Sequence, residues 1–164
     1  MSALTSKAYL KMLITPDDPL VVQKVSQVVT NPLWPDVWEL RDWVAGNMDY
    51  ASDSELHGIT DYWQFAREAM ASGRGDCEDY SVLLVSLLRA CGYGSDEVYV
   101  MTGYKETGGH AWVVVKAIGV WWTIEPQAST GEGILYSLVT GQLTEVSGYT
   151  AQYKFNDQAF YDLT

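Results

Sequence analysis

The run "CEDYSVLLVSLLRACG", residues 77 to 92, constrains the fold more than any other stretch of the chain. Between Cys77 and Ala90 apolar side chains fall on nearly every side of a helical wheel, so a helix here has almost no face to give to water. Such a helix belongs at the centre of a packed structure, with other elements all around it. Gly92 stands where a C-terminal glycine ends a helix. A 164-residue chain that is 48% hydrophobic, with seven Trp and eleven Tyr, can supply the surrounding layers.

The layers differ before and after this run. Upstream, "TPDDPLVVQKVSQVVTNP" opens with Pro and Asp before a helical pattern and closes on Asn-Pro. "NPLWPDVWELRDWVAGN" follows, with Trp34, Val37, Trp38, Leu40 and Val44 at helical spacing and Gly46-Asn47 as a stop. A polar, loop-like stretch comes next, within which Tyr62 to Met70 can form a short helix. Downstream of Gly94, "DEVYVMTGY", "HAWVVVKA" and "VWWTIEP" are short, β-branched and aromatic, separated by turn residues. "ILYSLV" and "AQYKFND" are further strand candidates. Helices first and antiparallel strands second predict an α+β fold in one domain, residues 1–95 mainly helical and 96–164 mainly β.

The formal net charge of −11 disfavours a nucleic-acid surface, which needs clustered Lys and Arg, and disfavours anionic membranes equally. No apolar run reaches the length of a membrane span, and "MSALTSKAYLKML" lacks the apolar core and cleavage site of an export signal. The chain as written therefore reads as cytoplasmic, a trimmed export signal being the alternative.

Cys77 sits at the polar entrance of the apolar run, among Asp76, Glu78 and Asp79. A helix N-terminus favours a thiolate through its free N–H groups, while the three carboxylates oppose one. Alone, Cys77 would read as a core residue. Cys91 lies fourteen residues further along the same helix, about 21 Å away, too far for a disulfide.

A partner for Cys77 comes from "GGHAWVVVK". His110 opens this strand. A four-residue loop, Lys116 to Gly119, would set Val115 opposite Val120 and therefore His110 opposite Glu125. Directly opposed side chains share a face of the sheet, so a carboxylate there can hold the imidazole in one tautomer. Thiol, base and orienting acid together form a nucleophilic triad.

"GRGDCEDYSVLLVSLLRACGY", "GGHAWVVV" and "WWTIEPQ" together resemble the transglutaminase-like superfamily, and the likeness extends over residues 35 to 130, taking in "LRDWVAGNMDY". It implies a papain-like fold with N-terminal helices and a buried central helix packed on a C-terminal antiparallel sheet. It also implies amide-bond chemistry through a thioester: Cys77 as nucleophile, His110 as base, Glu125 where the family usually has Asp. Peptide hydrolysis or amide cleavage is expected before cross-linking, on a peptide or protein carrying a Gln, Asn or backbone amide. The Cys77 N–H is the natural first oxyanion donor, with Tyr50 and Gln64 as candidates for the second. The alternative is a non-catalytic binding module on the same fold.

No cofactor is required by this chemistry. Bacterial cysteine proteinases of this type can bind calcium through acids flanking the cysteine, here Asp76 and Glu78, although calcium wants six to eight oxygens. Zinc on Cys77, His110 and Glu125 suits the ligand types, but no paired CxxC spacing supports it. His57 in "DSELHGITD" reads as solvated, and Trp112 and Trp122 read as core residues.

Overall fold

The computed structural model describes residues 6–30, 35–127, 134–136 and 148–164. Trp34 and the second half of "ILYSLV" lie outside these residues.

The central helix, α6, spans Cys77–Cys91. Every residue from Asp79 to Leu88 is buried. Fully burying each of its large aliphatic side chains stabilises the fold by roughly 1.5–3 kcal/mol relative to leaving it in water. Gly92 adopts φ 115° and its N–H caps Arg89 and Leu88 carbonyls, so the helix stops where the glycine predicts.

Helices α2 (Pro19–Val28), α3 (Pro35–Asn47) and α5 (Ala66–Ser72) pack on one side of α6. A short α1 (Lys7–Leu13) precedes them, capped by Ser6, whose hydroxyl accepts from Tyr9 N at 3.2 Å. In α2 the expected start is realised: Asp18 caps through Leu20 N at 2.9 Å and Pro19 takes the first helical position. Three short elements carry no sequence pattern. They are the parallel pair β1 (Asp49–Tyr50) and β2 (Arg74–Gly75), and α4 (Asp53–His57). The pair brings the upstream loop alongside the start of α6.

The other side of α6 rests on a six-stranded sheet in the order β6-β5-β4-β3-β7-β8, antiparallel throughout. Its strands are β3 (Val98–Lys105), β4 (Gly108–Ala117), β5 (Val120–Ile124), β6 (Ile134–Tyr136), β7 (Thr150–Phe155) and β8 (Phe160–Asp162). Alternation sends Val98, Val100, Val113 and Val115 toward the helices. Tyr99, Met101, Trp112 and Val114 form a second apolar cluster on the opposite face. At the β3–β7 bulge, Gly103 lets the chains meet: a Cβ there would lie 1.9 Å from the Thr150 carbonyl oxygen.

The β4–β5 hairpin corrects the expected register. Its loop has two residues, Ile118 and Gly119, and Ala117 pairs with Val120. Both loop residues are left-handed, at φ 54° and 70°, as a primed two-residue turn matched to the strand twist demands. A β-branched residue is strained there, so Ile-Gly is a poor sequence signal for this turn. The shift is two residues, an even number. His110 and Glu125 therefore stay on one face, but as diagonal rather than direct neighbours.

Candidate active site

The start of α6 is held by carboxylates. Asp76 is the N-cap and accepts from Glu78 N at 3.3 Å, and its own N–H donates to Asp79 Oδ2 at 3.1 Å. Asp79, fully buried, also accepts from the backbone and side-chain nitrogens of Gln64 at 2.8 and 2.9 Å. Gly75 packs against Asp79 so closely that a Cβ would sit 2.6 Å from it. Cys77 is thereby fixed at the first helical position.

The backbone N–H groups of Ala111 and Glu78 lie near enough to the Cys77 thiol to favour its ionised form. Burial nevertheless pushes its thiol up to about 12, with the charges of Asp76 and Glu78 adding to the effect. Ala111 belongs to β4 and follows His110, so this contact joins the helix end to the strand carrying the base.

His110 Nε2 lies 2.9 and 3.0 Å from the two carboxylate oxygens of Glu125. An ionised carboxylate only accepts, so a neutral imidazole in this contact carries its proton on Nε2 and its lone pair on Nδ1. The hairpin register sets Glu125 opposite Trp112, two positions from His110. Diagonal neighbours are about 7–8 Å apart at their backbones, a gap that suits the longer Glu side chain. Glu125 has further partners: the Tyr149 hydroxyl at 2.7 Å, Lys105 Nζ at 3.9 Å and, on its backbone carbonyl, Arg41 Nε at 3.1 Å.

Cys77 and His110 line one cavity of about 470 Å³, together with Tyr50, Trp63, Tyr104 and Tyr153. Tyr50 is 63% exposed and reaches this cavity. Gln64 is not among the lining residues. Its amide nitrogen donates to Asp79 and to the Arg74 carbonyl at 2.9 Å each, which uses both hydrogens. The Gln64 side chain thus orders the chain around Cys77 and has no donor left for an oxyanion.

The acids flanking Cys77 belong to a larger group. Asp53, Asp76 and Asp79, and likewise Asp53, Asp61 and Glu78, each place carboxylate oxygens within 4.8 Å of one another. Burial, then mutual repulsion, pushes Asp76 up to about 7 and Glu78 up to about 10. Asp53 Oδ1 is buried without a hydrogen-bond partner. Several crowded hard oxygens, one of them unpartnered, fit a divalent cation of calcium type. Asp53 and Asp61 were missed from sequence, although both sit in "DSELHGITD", where His57 drew attention instead. His57 is exposed and lies against the Tyr62 ring at 4.1 Å. Among the described residues, the groups with metal-ligand geometry include Cys77 but neither His110 nor Glu125, which disfavours the zinc alternative.

The remaining expectations concern packing. Trp112 is 1% exposed and Trp122 packs against the helix-side core, so both are core residues. Cys77 and Cys91 are both free thiols, one at each end of α6. Among the described residues, no helix is long and apolar enough to cross a membrane.

Solved structures share this fold. EGTA-treated Legionella pneumophila LapG is 16% identical, with a TM-score of 0.66 over 97% of this chain and 79% of that one. Calcium-bound LapG is 18% identical, with a TM-score of 0.58 over 92% and 88%. A candidate cysteine protease from Cytophaga hutchinsonii is 18% identical, with a TM-score of 0.56 over 80% and 46%. No curated protein matches the chain by sequence. The likeness at these identities is one of fold, an α+β papain-like core. The profile of the transglutaminase-like superfamily, however, matches residues 21–126, well over half of the sequence, and the chain belongs to that superfamily.

Proposed function

We propose that this protein is a cysteine-dependent amide-bond hydrolase or acyltransferase, with hydrolysis of a peptide or protein amide favoured over cross-linking. The observation that carries the reading is the His110–Glu125 pair, held at the edge of the cavity that Cys77 also lines, with Nε2 engaged by the carboxylate so that Nδ1 is the nitrogen left to serve the thiol. In this mechanism Nδ1 takes the thiol proton as sulfur attacks the carbonyl carbon. The Cys77 N–H and the Tyr50 hydroxyl face the developing oxyanion. His110 then protonates the leaving amine, and a thioester on Cys77 remains. Water, or an amine, attacks the thioester, gives its proton to His110, and the thiol is restored. Preference for water rests on the likeness in fold to a candidate cysteine protease.

Asp53, Asp61, Asp76 and Glu78 would hold a divalent cation beside this centre, and LapG, with the same fold, has been obtained calcium-bound. Its positive charge would offset the carboxylates that push the Cys77 thiol up. One observation favours the second reading, a binding module without turnover: the thiol lies buried among acids and is pushed up to about 12.

Iodoacetamide labelling followed by mass spectrometry separates the two, with Cys91 as internal control. An enzyme predicts a Cys77 rate, in calcium, at least about tenfold above Cys91, a midpoint well below the free-thiol value of about 8.5, and loss of the advantage in His110→Ala. Labelling of Cys77 no faster than an ordinary thiol, in calcium or EGTA, would establish the binding module.

A further inference from the structure

A glutamate in the orienting position brings one more rotatable bond than an aspartate. A carboxylate on that longer arm sweeps a wider volume, and one hydrogen bond to His110 cannot fix both its position and its rotation. A second donor on the far side of the carboxylate is needed, on a rigid support.

Tyr149 meets that requirement. Its hydroxyl donates to Glu125 Oε1 at 2.7 Å, the shortest of the contacts to that oxygen. Its ring stands edge-on to Trp112, with centroids 4.9 Å apart and planes at 67°. The His110 ring lies nearly parallel to the same indole, at 6.0 Å and 16°. Trp112 is 1% exposed and sits in the outer apolar cluster of the sheet, so it gives both rings one immobile platform. Lys105 Nζ, from β3, lies 5.0 Å over the Tyr149 ring and 3.9 Å from Glu125, too far for a direct hydrogen bond. Arg41, from α3, addresses the Glu125 backbone rather than its carboxylate. Tyr149 therefore supplies a second directional contact to the carboxylate, beside the Nε2 contact that His110 shares between both oxygens.

We propose that Tyr149 is the positioning residue of the triad: its hydroxyl, braced on Trp112, fixes the Glu125 carboxylate so that His110 holds its proton on Nε2 and presents Nδ1 to the cavity of Cys77. The inference rests on the catalytic reading above and deepens it. Burial and the neighbouring carboxylate push the Tyr149 phenol well above its ordinary value, which keeps it a hydrogen-bond donor at every pH where the thiol could react.

The test uses the full chain and long-range ¹H–¹⁵N spectra, which report the tautomer of each imidazole, and there are only two to resolve. The substitution Tyr149→Phe keeps the ring on Trp112 and removes only the hydroxyl. Wild-type His110 is expected in the Nε2–H tautomer, with a mixture of tautomers in Tyr149→Phe and about a tenfold slower alkylation of Cys77. In a Glu125→Gln background the same substitution is expected to add almost nothing, because the acceptor it serves has changed. A Tyr149→Phe protein with the wild-type tautomer and rate would reduce Tyr149 to a packing residue and overturn the proposal. A wild-type His110 without a fixed tautomer would overturn it too. A fixed wild-type tautomer that Tyr149→Phe disturbs, alongside a Cys77 no more reactive than Cys91, would uphold the positioning role while removing the catalytic one.

Discussion

The two ends of α6 carry the same functional group in surroundings that look alike on paper. Cys77 and Cys91 are both partly buried, both lie beside an aspartate, and burial pushes both thiols up to about 12. The hydrogen bonds point in opposite directions. At Cys91 the S–H donates to Asp36 Oδ2 at 3.4 Å, an arrangement that exists only for the protonated thiol. At Cys77 the backbone N–H groups of Ala111 and Glu78 pull the thiol down against its burial, which favours the thiolate. The N-terminal end opens into a cavity that His110 also lines. An elevated thiol pKa thus does not distinguish the two cysteines. The sign of the neighbouring polar groups does.

The largest effect should come from deleting each sulfur in turn. Cys77→Ala is expected to abolish turnover, by about 10³-fold or more, while Cys91→Ala leaves the rate unchanged. Assay of both against a panel of peptide amides checks this, and equal effects would erase the distinction between the two ends. Next comes the acid. Glu125→Gln should slow Cys77 alkylation by about 10²-fold, since the amide can no longer hold an imidazolium. Glu125→Asp should slow it by about tenfold, since it withdraws the carboxylate from a diagonal partner. An aspartate variant faster than wild type would mean that the register does not set the reach.

A third prediction concerns the carboxylates crowding only one end. Asp76 and Glu78 are held above their unfolded values, so the folded state binds protons more tightly than the unfolded chain. Their contribution to stability is complete below about 4 and is lost as pH rises, through about 7 for Asp76 and on toward about 10 for Glu78. Thermal midpoints in EGTA should therefore fall from pH 5 to pH 8. Calcium at 100 times its Kd should raise the midpoint at pH 8 by about 5–10 °C and flatten that slope. A slope that calcium leaves untouched would dissociate the acids from cation binding. The smallest effect should be Asp36→Asn, which removes the carboxylate that holds Cys91 protonated and should speed its alkylation at pH 9 by about threefold.

How far the sequence could foresee this depends on how local each determinant is. The central helix was legible because its composition leaves no exposed face, and its stop because Gly92 is the residue such a stop needs. The pairing of His110 with Glu125 was legible for a less secure reason. The expected hairpin was off by two residues, and only the period of two in a strand kept both side chains on one face. What escaped is what tertiary packing assembles. Asp53 and Asp61 reach the nucleophile through a two-residue parallel strand pair too short to leave a pattern. Gln64, expected as an oxyanion donor, lies behind the start of α6 with its amide serving Asp79. Tyr149 and Arg41 meet Glu125 across 24 and 84 residues, with no motif linking them.

The buried Arg41, tying α3 to the carbonyl of Glu125, has a bearing on how the protein is made. Cys77 leaves the ribosome 33 residues ahead of His110 and 48 ahead of Glu125. At roughly 5–20 residues per second, the proposed nucleophile is therefore synthesised some seconds before its proposed base and acid. The Arg41 side chain is made earlier still, 84 residues ahead of the Glu125 carbonyl it binds. A nascent or truncated chain consequently carries Cys77 without His110 and Glu125, and the reactivity proposed for it would be withheld until the two halves have closed on each other.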